Sequence, residues 1–202
     1  FGRAQLQSLW VTARVTYYMD KLDRYEDSGN QNGNVCDTDR SAAASLHIKE
    51  KTEGTKLREK VCEIGVDALP ILERRVRDEK ETASSRVRTA NMMLDIAGCE
   101  NLENWTYTVE FLKNWTDMIC HMEETLDQTL QSDALPLSVQ RERVEGYGVL
   151  AYPYLRKKLD AGDKVVDQIL EKQMRHDLKK YSGAQLRRLS EYIEDVQNQN
   201  KK

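Results

Sequence analysis

The scarcity of helix-breaking residues constrains this sequence more than any other feature. Three prolines and ten glycines are spread over 202 residues, and these two residue types interrupt regular structure most strongly. Apolar residues recur at steps of three and four through most of the chain, which is the spacing of one helical face. We therefore expect an all-α fold whose amphipathic helices bury their apolar faces against one another.

The first predicted helix runs from about Arg3 to Asp27 and carries two neighbouring apolar stripes. One stripe consists of Val11, Val15, Tyr18, Leu22 and Tyr25, and the other of Leu6, Trp10, Ala13 and Tyr17. An apolar face this wide is typical of a helix that packs against two neighbours. The residues that follow, 28–39, are polar and rich in Gly and Asn, so we expect a loop there.

Residues 40–97 are predicted to be helical almost throughout. Gly54 and Pro70 interrupt the pattern, and Pro70 should kink the helix or end its first segment because it lacks a backbone N–H. Gly98 suits the position just beyond a helix end, where the backbone turns left-handed.

A third helix is expected from Asn101 to about Gln131. Its apolar seam repeats every 3.5 residues, which is the mark of helices packed at a shallow angle. The seam consists of Trp105, Val109, Leu112, Thr116, Ile119, Glu123, Leu126 and Leu130. Two of its members are polar, so the predicted seam is imperfect.

The remaining third of the chain also has helical periodicity. A connection at 132–138 is followed by a helical region at 139–181. Gly183 marks a break before a last amphipathic segment and a polar tail at 197–202. Helices joined by short turns pack as antiparallel neighbours. We therefore predict one domain over 1–202, an elongated bundle of at least three long antiparallel helices.

Four cysteines, Cys36, Cys62, Cys99 and Cys120, suit a disulfide framework, and none lies in a C-x-x-C pair. We expect Cys36 to pair with Cys62 and Cys99 with Cys120. Straight helices would hold each pair roughly 30 Å apart, whereas a disulfide needs Cα atoms within about 7 Å. The pairing therefore implies an irregular, disulfide-stapled head region. The alternative is four reduced thiols in a cytosolic protein.

The charge balance excludes some classes of partner. Lys and Arg number 31 against 34 Asp and Glu, and the formal net charge is −3. This balance gives no drive toward nucleic acid or anionic membranes. No run approaches the roughly 18 apolar residues of a membrane span, so membrane attachment would need a segment outside this sequence. The chain begins at Phe1 rather than Met, and we expect a fragment or a processed form.

Motifs that carry catalysis are missing from the sequence. It contains no dinucleotide or Walker loop, no nucleophile elbow and no H-E-x-x-H. None of the three histidines has a Glu three residues before it, as di-iron bundle enzymes require. His121 with Glu124 is the best local metal pair, but a solvated polar face explains it better. We expect no catalytic residues, no metal site and no cofactor.

Two N-glycosylation sequons begin at Asn104 and Asn114. An attached glycan requires a secreted domain and an exposed asparagine. The alternative is chance occurrence, because Trp105 and Thr116 lie on the predicted buried seam.

Two segments are candidate partner-binding surfaces. The segment at 146–154 places Tyr147, Tyr152 and Tyr154 among glycines and a proline, and tyrosine is favoured at interfaces. The loop at 28–39 supplies Asn30, Asn32 and Asn34, and loops on rigid scaffolds often carry recognition. The alternatives are tyrosines packed in the core and a loop that only solvates a connection.

Long amphipathic helices, cysteines near loops, sequons and missing catalytic motifs together resemble the ectodomains of trypanosome invariant surface glycoproteins and related helical-bundle receptors. The resemblance is one of architecture and composition over most of the chain, and no family motif matches residue by residue. It implies an extracellular, cell-surface glycoprotein that binds a host serum protein, with a complement component as the leading candidate, in immune evasion or uptake.

Two other functions fit the same sequence. One is an intracellular helical adaptor with reduced cysteines and unused sequons. The other is a secreted helical ligand, although the regions at 40–97 and 139–181 are long for a compact four-helix ligand.

Overall fold

The computed structural model describes residues 3–31, 53–99, 102, 106–170 and 172–201. The regular elements in these ranges are all helical, without a strand, so the predicted all-α class is confirmed. The structure divides into two compact units, Phe1–Arg74 and Arg75–Lys202, within the stretch that the sequence predicts as one domain. None of the described helices has the length and apolar character needed to cross a membrane.

Unit 1 contains the long helix α1 (Arg3–Gln31) and the helix α2 (53–64). A 3₁₀ turn (Gly65–Ala68) then leads into the helix α3 (Leu69–Arg77), whose first part belongs to this unit. Helix α1 packs against the 3₁₀ turn. The core side chains are Val11, Val15, Met19, Leu22, Leu57, Val61, Val66, Ala68, Leu69 and Leu72. The first predicted stripe of α1 is therefore buried at Val11, Val15 and Leu22.

The end of α1 differs from the prediction. The helix continues to Gln31, so the predicted loop at 28–39 begins too early and Asn30 lies in the last helical turn. Gly29 costs a helix only about 1 kcal/mol, and extending a formed helix avoids the nucleation cost. Asn32 and Asn34 lie outside the described residues.

The predicted interruptions at Gly54 and Pro70 are corrected. Gly54 lies inside α2. The chain instead breaks at Gly65, whose φ of +69° is in the left-handed region that other residues avoid. Pro70 is the second residue of α3, where its missing N–H removes no helical hydrogen bond. Pro70 therefore lies in the first turn of a helix, and no kink or helix end falls there.

A second break, which the apolar periodicity does not predict, lies between α3 and the helix α4 (Ala83–Ala97). Thr82 caps α4, because its side chain accepts a hydrogen bond from the backbone N–H of Ser85. The predicted end at Gly98 is confirmed: its φ is +62°, and its N–H donates to the carbonyl of Leu94. Residues 40–52 lie outside the described residues.

The described part of unit 2 holds the end of α3, then α4 and six further helices. They are α5 (Thr108–Leu130), α6 (Leu137–Glu145), α7 (Tyr152–Asp160), α8 (Lys164–Ile169), α9 (Lys172–Lys180) and α10 (Gly183–Asn200), with a 3₁₀ turn at Gly148–Ala151. The region predicted as one long helix at 139–181 is therefore a series of short ones. Asp163 caps α8, and Ser182 starts α10 with a capping box.

Helices α5 and α10 pack against each other in unit 2. The indole N–H of Trp115 donates to the Tyr192 hydroxyl at 2.9 Å, and Gln197 donates to the carbonyl of Ile119 at 3.3 Å. These contacts join the first half of α5 to the second half of α10, and the Tyr181 ring packs against Tyr152 at the start of α7. The predicted antiparallel arrangement of the long helices stays a prediction.

The register of the buried stripe on α5 also differs from the predicted seam. The buried side chains are Phe111, Trp115, Ile119, Met122, Leu126, Thr129 and Leu130. Val109 is 70% exposed and Glu123 is exposed. The observed stripe follows the ordinary period of about 3.6 residues rather than 3.5, and the polar members of the predicted seam were the sign of the error.

Candidate functional site

The predicted tyrosine surface is part of the core of unit 2. Tyr147 and Tyr152 are each 9% exposed, and Tyr154 is 5% exposed. The segment passes from α6 to α7 through the 3₁₀ turn, and the side chains on both sides of that turn are buried. The expectation that these tyrosines form an exposed contact surface is therefore corrected, and the core alternative describes them.

A polar cluster holds Tyr154 in place. Its hydroxyl donates to Asp127 Oδ1 at 2.6 Å, and Lys158 Nζ donates to the same oxygen at 2.6 Å. Burial, followed by this hydrogen bond, raises the pKa of Tyr154. The hydrogen bonds from Lys158 and Tyr154 lower the pKa of Asp127. The cluster joins α7 to α5, so its role in unit 2 is to stabilise the packing of these two helices.

The close packing of Gly148 explains how α4 meets the 3₁₀ turn. Its φ is +53°, and a Cβ there would overlap the carbonyl oxygen of Ala97. Beside this contact, the thiol of Cys99 donates to the carbonyl of Tyr147 at 3.2 Å, and burial raises the pKa of Cys99 to about 12. A nucleophilic thiol requires a lowered pKa, so Cys99 is a structural thiol.

The predicted pairing of Cys99 with Cys120 is wrong. Both are free thiols with different partners, since Asn200 Nδ2 lies 3.5 Å from Cys120 Sγ. Cys120 lies about 18 Å along α5 from its start, on the side that meets α10, whereas Cys99 follows α4. The pairing of Cys36 with Cys62 stays a prediction, because Cys36 lies outside the described residues.

Only one of the two sequon asparagines lies among the described residues. Asn104 lies outside the described residues. Asn114 is half-buried on α5, Trp115 beside it is fully buried, and Thr116 accepts a hydrogen bond from Arg77 at 3.2 Å. Glycosylation at either asparagine stays a prediction. In the described part of the chain, no three His, Cys, Asp or Glu side chains are placed to hold a metal ion.

Two open cavities lie in the described part of unit 2. The cavity beside Gly148 has a volume of about 250 Å³, which is below the usual range for small-molecule sites. A groove of about 550 Å³ is lined by Arg77, Arg86 and Lys113 together with two acids. Arg77 and Arg86 already donate to Thr116 and to the carbonyl of Val76.

An exposed apolar surface lies on α1, where the apolar periodicity predicts burial. We call Leu6, Leu9, Trp10 and Tyr17 the outer face of α1, and their side chains are 55%, 59%, 56% and 54% exposed. Three of the four belong to the second predicted stripe. That stripe was expected to pack against a second neighbouring helix, and this expectation is corrected.

Cations stack on the aromatic rings of this face. The Arg14 guanidinium lies 4.5 Å from the Trp10 ring and 5.5 Å from the Tyr18 ring, and it also donates to the Tyr18 hydroxyl at 3.3 Å. Lys21 Nζ lies 4.9 Å from the Tyr17 ring. The hydrogen bond with Lys21 is the main cause that lowers the pKa of Tyr17. The outer face thus combines apolar area with positive charge.

Compared with known proteins, the chain matches no family model, no curated protein and no solved structure. The resemblance to trypanosome surface glycoproteins therefore stays a prediction.

Proposed function

We propose that this chain is a non-enzymatic binding module and that the outer face of α1 contacts its protein partner. The observation that carries the proposal is the exposure of four large apolar side chains within three helical turns. Soluble proteins seldom leave contiguous apolar patches uncovered unless they bind something there. Trp, Tyr and Arg are also the residues that most often dominate the energy of protein interfaces.

The biological setting of the proposal comes from the resemblance described above. In that setting, the module is the ectodomain of a cell-surface glycoprotein that binds a host serum protein, with a complement component as the leading candidate. Glycans at Asn104 and Asn114 and a head region stapled by Cys36 and Cys62 belong to the same proposal. A signal peptide and a C-terminal span in the complete gene would support it over an adaptor or a secreted ligand.

The test compares two surface substitutions in a binding assay with purified complement components and fractionated host serum. Trp10→Lys places a charge in the outer face, and Leu137→Lys makes the same kind of change at a residue that is 45% exposed on α6. We expect Trp10→Lys to weaken binding by roughly 30-fold, because an anchor residue contributes about 2 kcal/mol or more. Leu137→Lys should bind as the unchanged protein does.

Circular dichroism and thermal unfolding should be the same for both variants, since both side chains are exposed. Equal binding by the two variants would remove the outer face from the site.

A further inference from the structure

We propose that the partner presents an acidic amphipathic helix to the outer face of α1, with an apolar seam flanked by Asp and Glu. This inference rests on the proposed function and specifies the chemistry of the surface that the outer face takes. It is carried by the spacing of the exposed apolar residues and by the position and sign of the charges beside them.

The spacing of the exposed residues favours a helix as the partner. Leu6, Trp10, Ala13 and Tyr17 are all exposed and follow one another at steps of four, three and four. This is the spacing of the a and d positions in helices that pack side by side at a shallow angle. The seam is about 16 Å long at 1.5 Å per residue, so a partner helix of about three turns would cover it.

The buried stripe of α1 fits the same heptad pattern. With Trp10 and Tyr17 at the a positions, Val11, Val15 and Met19 fall at b, f and c, on the opposite side of the helix, and all three are buried in unit 1. The outward-facing seam is therefore available while α1 remains packed in its own unit.

The cations beside this seam lie on one flank, and the first acid of α1 is the exposed Asp20, at the d position just beyond Tyr17. Arg14 and Lys21 are one heptad apart and occupy the e positions beside Trp10 and Tyr17. Residues 3–19 contain two arginines and no Asp or Glu. The low pKa of Tyr17 reflects the hydrogen bond with Lys21 and the nearby charges of Lys60 and Arg24. Charges at e and g positions select the partner of a helix, and here they select carboxylates.

A second copy of this chain does not meet that requirement. An antiparallel pair of α1 helices would bring e positions together, so Arg14 and Lys21 would face the same cations. A parallel pair would place Arg14 against Leu9 and Lys21 against Thr16, which are the g positions five residues earlier. Neither arrangement places a carboxylate from an e or g position opposite Arg14 or Lys21.

An anionic bilayer would attract the same cations, but more weakly. Each Lys or Arg near such a surface contributes about 1 kcal/mol, and only two cations flank the seam. A fluid bilayer also presents no repeating side chains, so the regular 3.5-residue spacing would not add to its binding. Binding to anionic vesicles is therefore an outcome of the test that would count against the proposal.

The test uses two fluorescein-labelled synthetic peptides of three heptads, with Leu at every a and d position. One peptide has Glu at every e and g position, and the other has Lys. Fluorescence anisotropy is followed while the protein is added at about 0.15 M salt, at which surface charges more than roughly 8 Å apart are screened. We expect the Glu peptide to bind at least about tenfold more tightly than the Lys peptide.

The sign of this preference is informative because the chain has a net charge of −3. Non-specific attraction to the whole protein would favour the Lys peptide instead. The double substitution Arg14→Glu with Lys21→Glu should reverse the preference. A matched control, Lys179→Glu with Arg187→Glu, changes two exposed cations of unit 2 by the same amount and should leave it unchanged.

Several outcomes would overturn the proposal. They are equal binding of the two peptides, no binding of either, dimers that depend on Trp10 in light scattering, and Trp10-dependent binding to phosphatidylserine vesicles without binding of the Glu peptide. Any of these would leave the proposed function standing if Trp10→Lys still weakened binding of a serum protein. If the Glu peptide were not preferred and Trp10→Lys also left binding of serum proteins unchanged, both the acidic-helix proposal and the proposed function would be contradicted.

Discussion

Helices α1 and α5 differ in what covers them, although both are long and both carry apolar residues at steps of three and four. Helix α1 has 29 residues and α5 has 23. The stripe of α5 is buried, and this helix contacts α4, α6 and α10. In α1, one stripe is buried and the neighbouring one is exposed. Periodicity thus identifies an apolar face, but the rest of the chain decides whether that face is covered.

The largest expected difference in stability comes from replacing one tryptophan on each of the two helices with alanine. Trp115 is fully buried and bonded to Tyr192, so Trp115→Ala should lower the free energy of unfolding by about 3–5 kcal/mol. Trp10→Ala removes an exposed ring and its contact with the Arg14 guanidinium. It should lower the free energy of unfolding by less than about 1 kcal/mol. Urea unfolding followed by circular dichroism measures both. Similar losses would show that Trp10 is buried in solution.

A smaller effect tests the register of the buried stripe on α5. Ile119 and Val109 both belong to the seam predicted from the sequence, but Ile119 is fully buried and Val109 is 70% exposed. Ile119→Ala should cost about 2–4 kcal/mol, and Val109→Ala should change stability by less than about 0.5 kcal/mol. If Val109→Ala were the more costly substitution in urea unfolding, the predicted 3.5-residue seam would be restored.

The error in that register has a physical cause. A 3.5-residue and a 3.6-residue stripe differ little over two turns, so Ile119 and Leu126 belong to both. Over the six turns of α5 they separate, and Phe111, Trp115, Met122 and Thr129 are buried although none of them belongs to the predicted seam. A polar residue such as Glu123 at a supposed buried position is the available signal, since a buried carboxylate is costly.

Local signals predicted helix ends better than they predicted packing. Gly98 was correctly placed beyond a helix, because its left-handed backbone is a property of a few neighbouring residues. The packing of α10 on α5 depends on breaks such as Gly162, which lie between the two helices in the chain. The burial of Tyr152 and the exposure of Trp10 depend on distant neighbours in the same way, so sequence spacing alone could not decide either.

A pH titration compares a buried and an exposed tyrosine. Burial raises the pKa of Tyr152 from 10.0 to about 12, so the folded state holds this proton more tightly than the unfolded state does. Its contribution to stability is complete below pH 10 and should be lost as the pH rises toward 12. Tyr17 has a lowered pKa and should contribute with the opposite sign.

Urea unfolding between pH 9.5 and 12 measures this difference. Tyr152→Phe should make the decline in stability shallower across that range, whereas Tyr17→Phe should not. Ultraviolet absorbance should show phenolate from Tyr17 before phenolate from Tyr152. An unchanged slope in Tyr152→Phe would mean that this side chain is accessible to solvent.

The smallest expected effect is the coupling energy between Trp10 of the outer face and the Arg14 side chain stacked on it. Arg14 lies over the Trp10 ring and also donates to Tyr18, and an exposed cation–π pair contributes about 0.5–1 kcal/mol. A double-mutant cycle with Trp10→Ala and Arg14→Ala should give a coupling energy of about 0.5 kcal/mol in the free energy of unfolding. This value is small for stability but relevant to binding, because a side chain already held in place loses less entropy when a partner docks. A cycle with Trp10→Ala and Lys179→Ala should give no coupling. If the Arg14 cycle also gave none, the cation would not be stacked in solution, and the outer face would bind through apolar contact without a preordered charge.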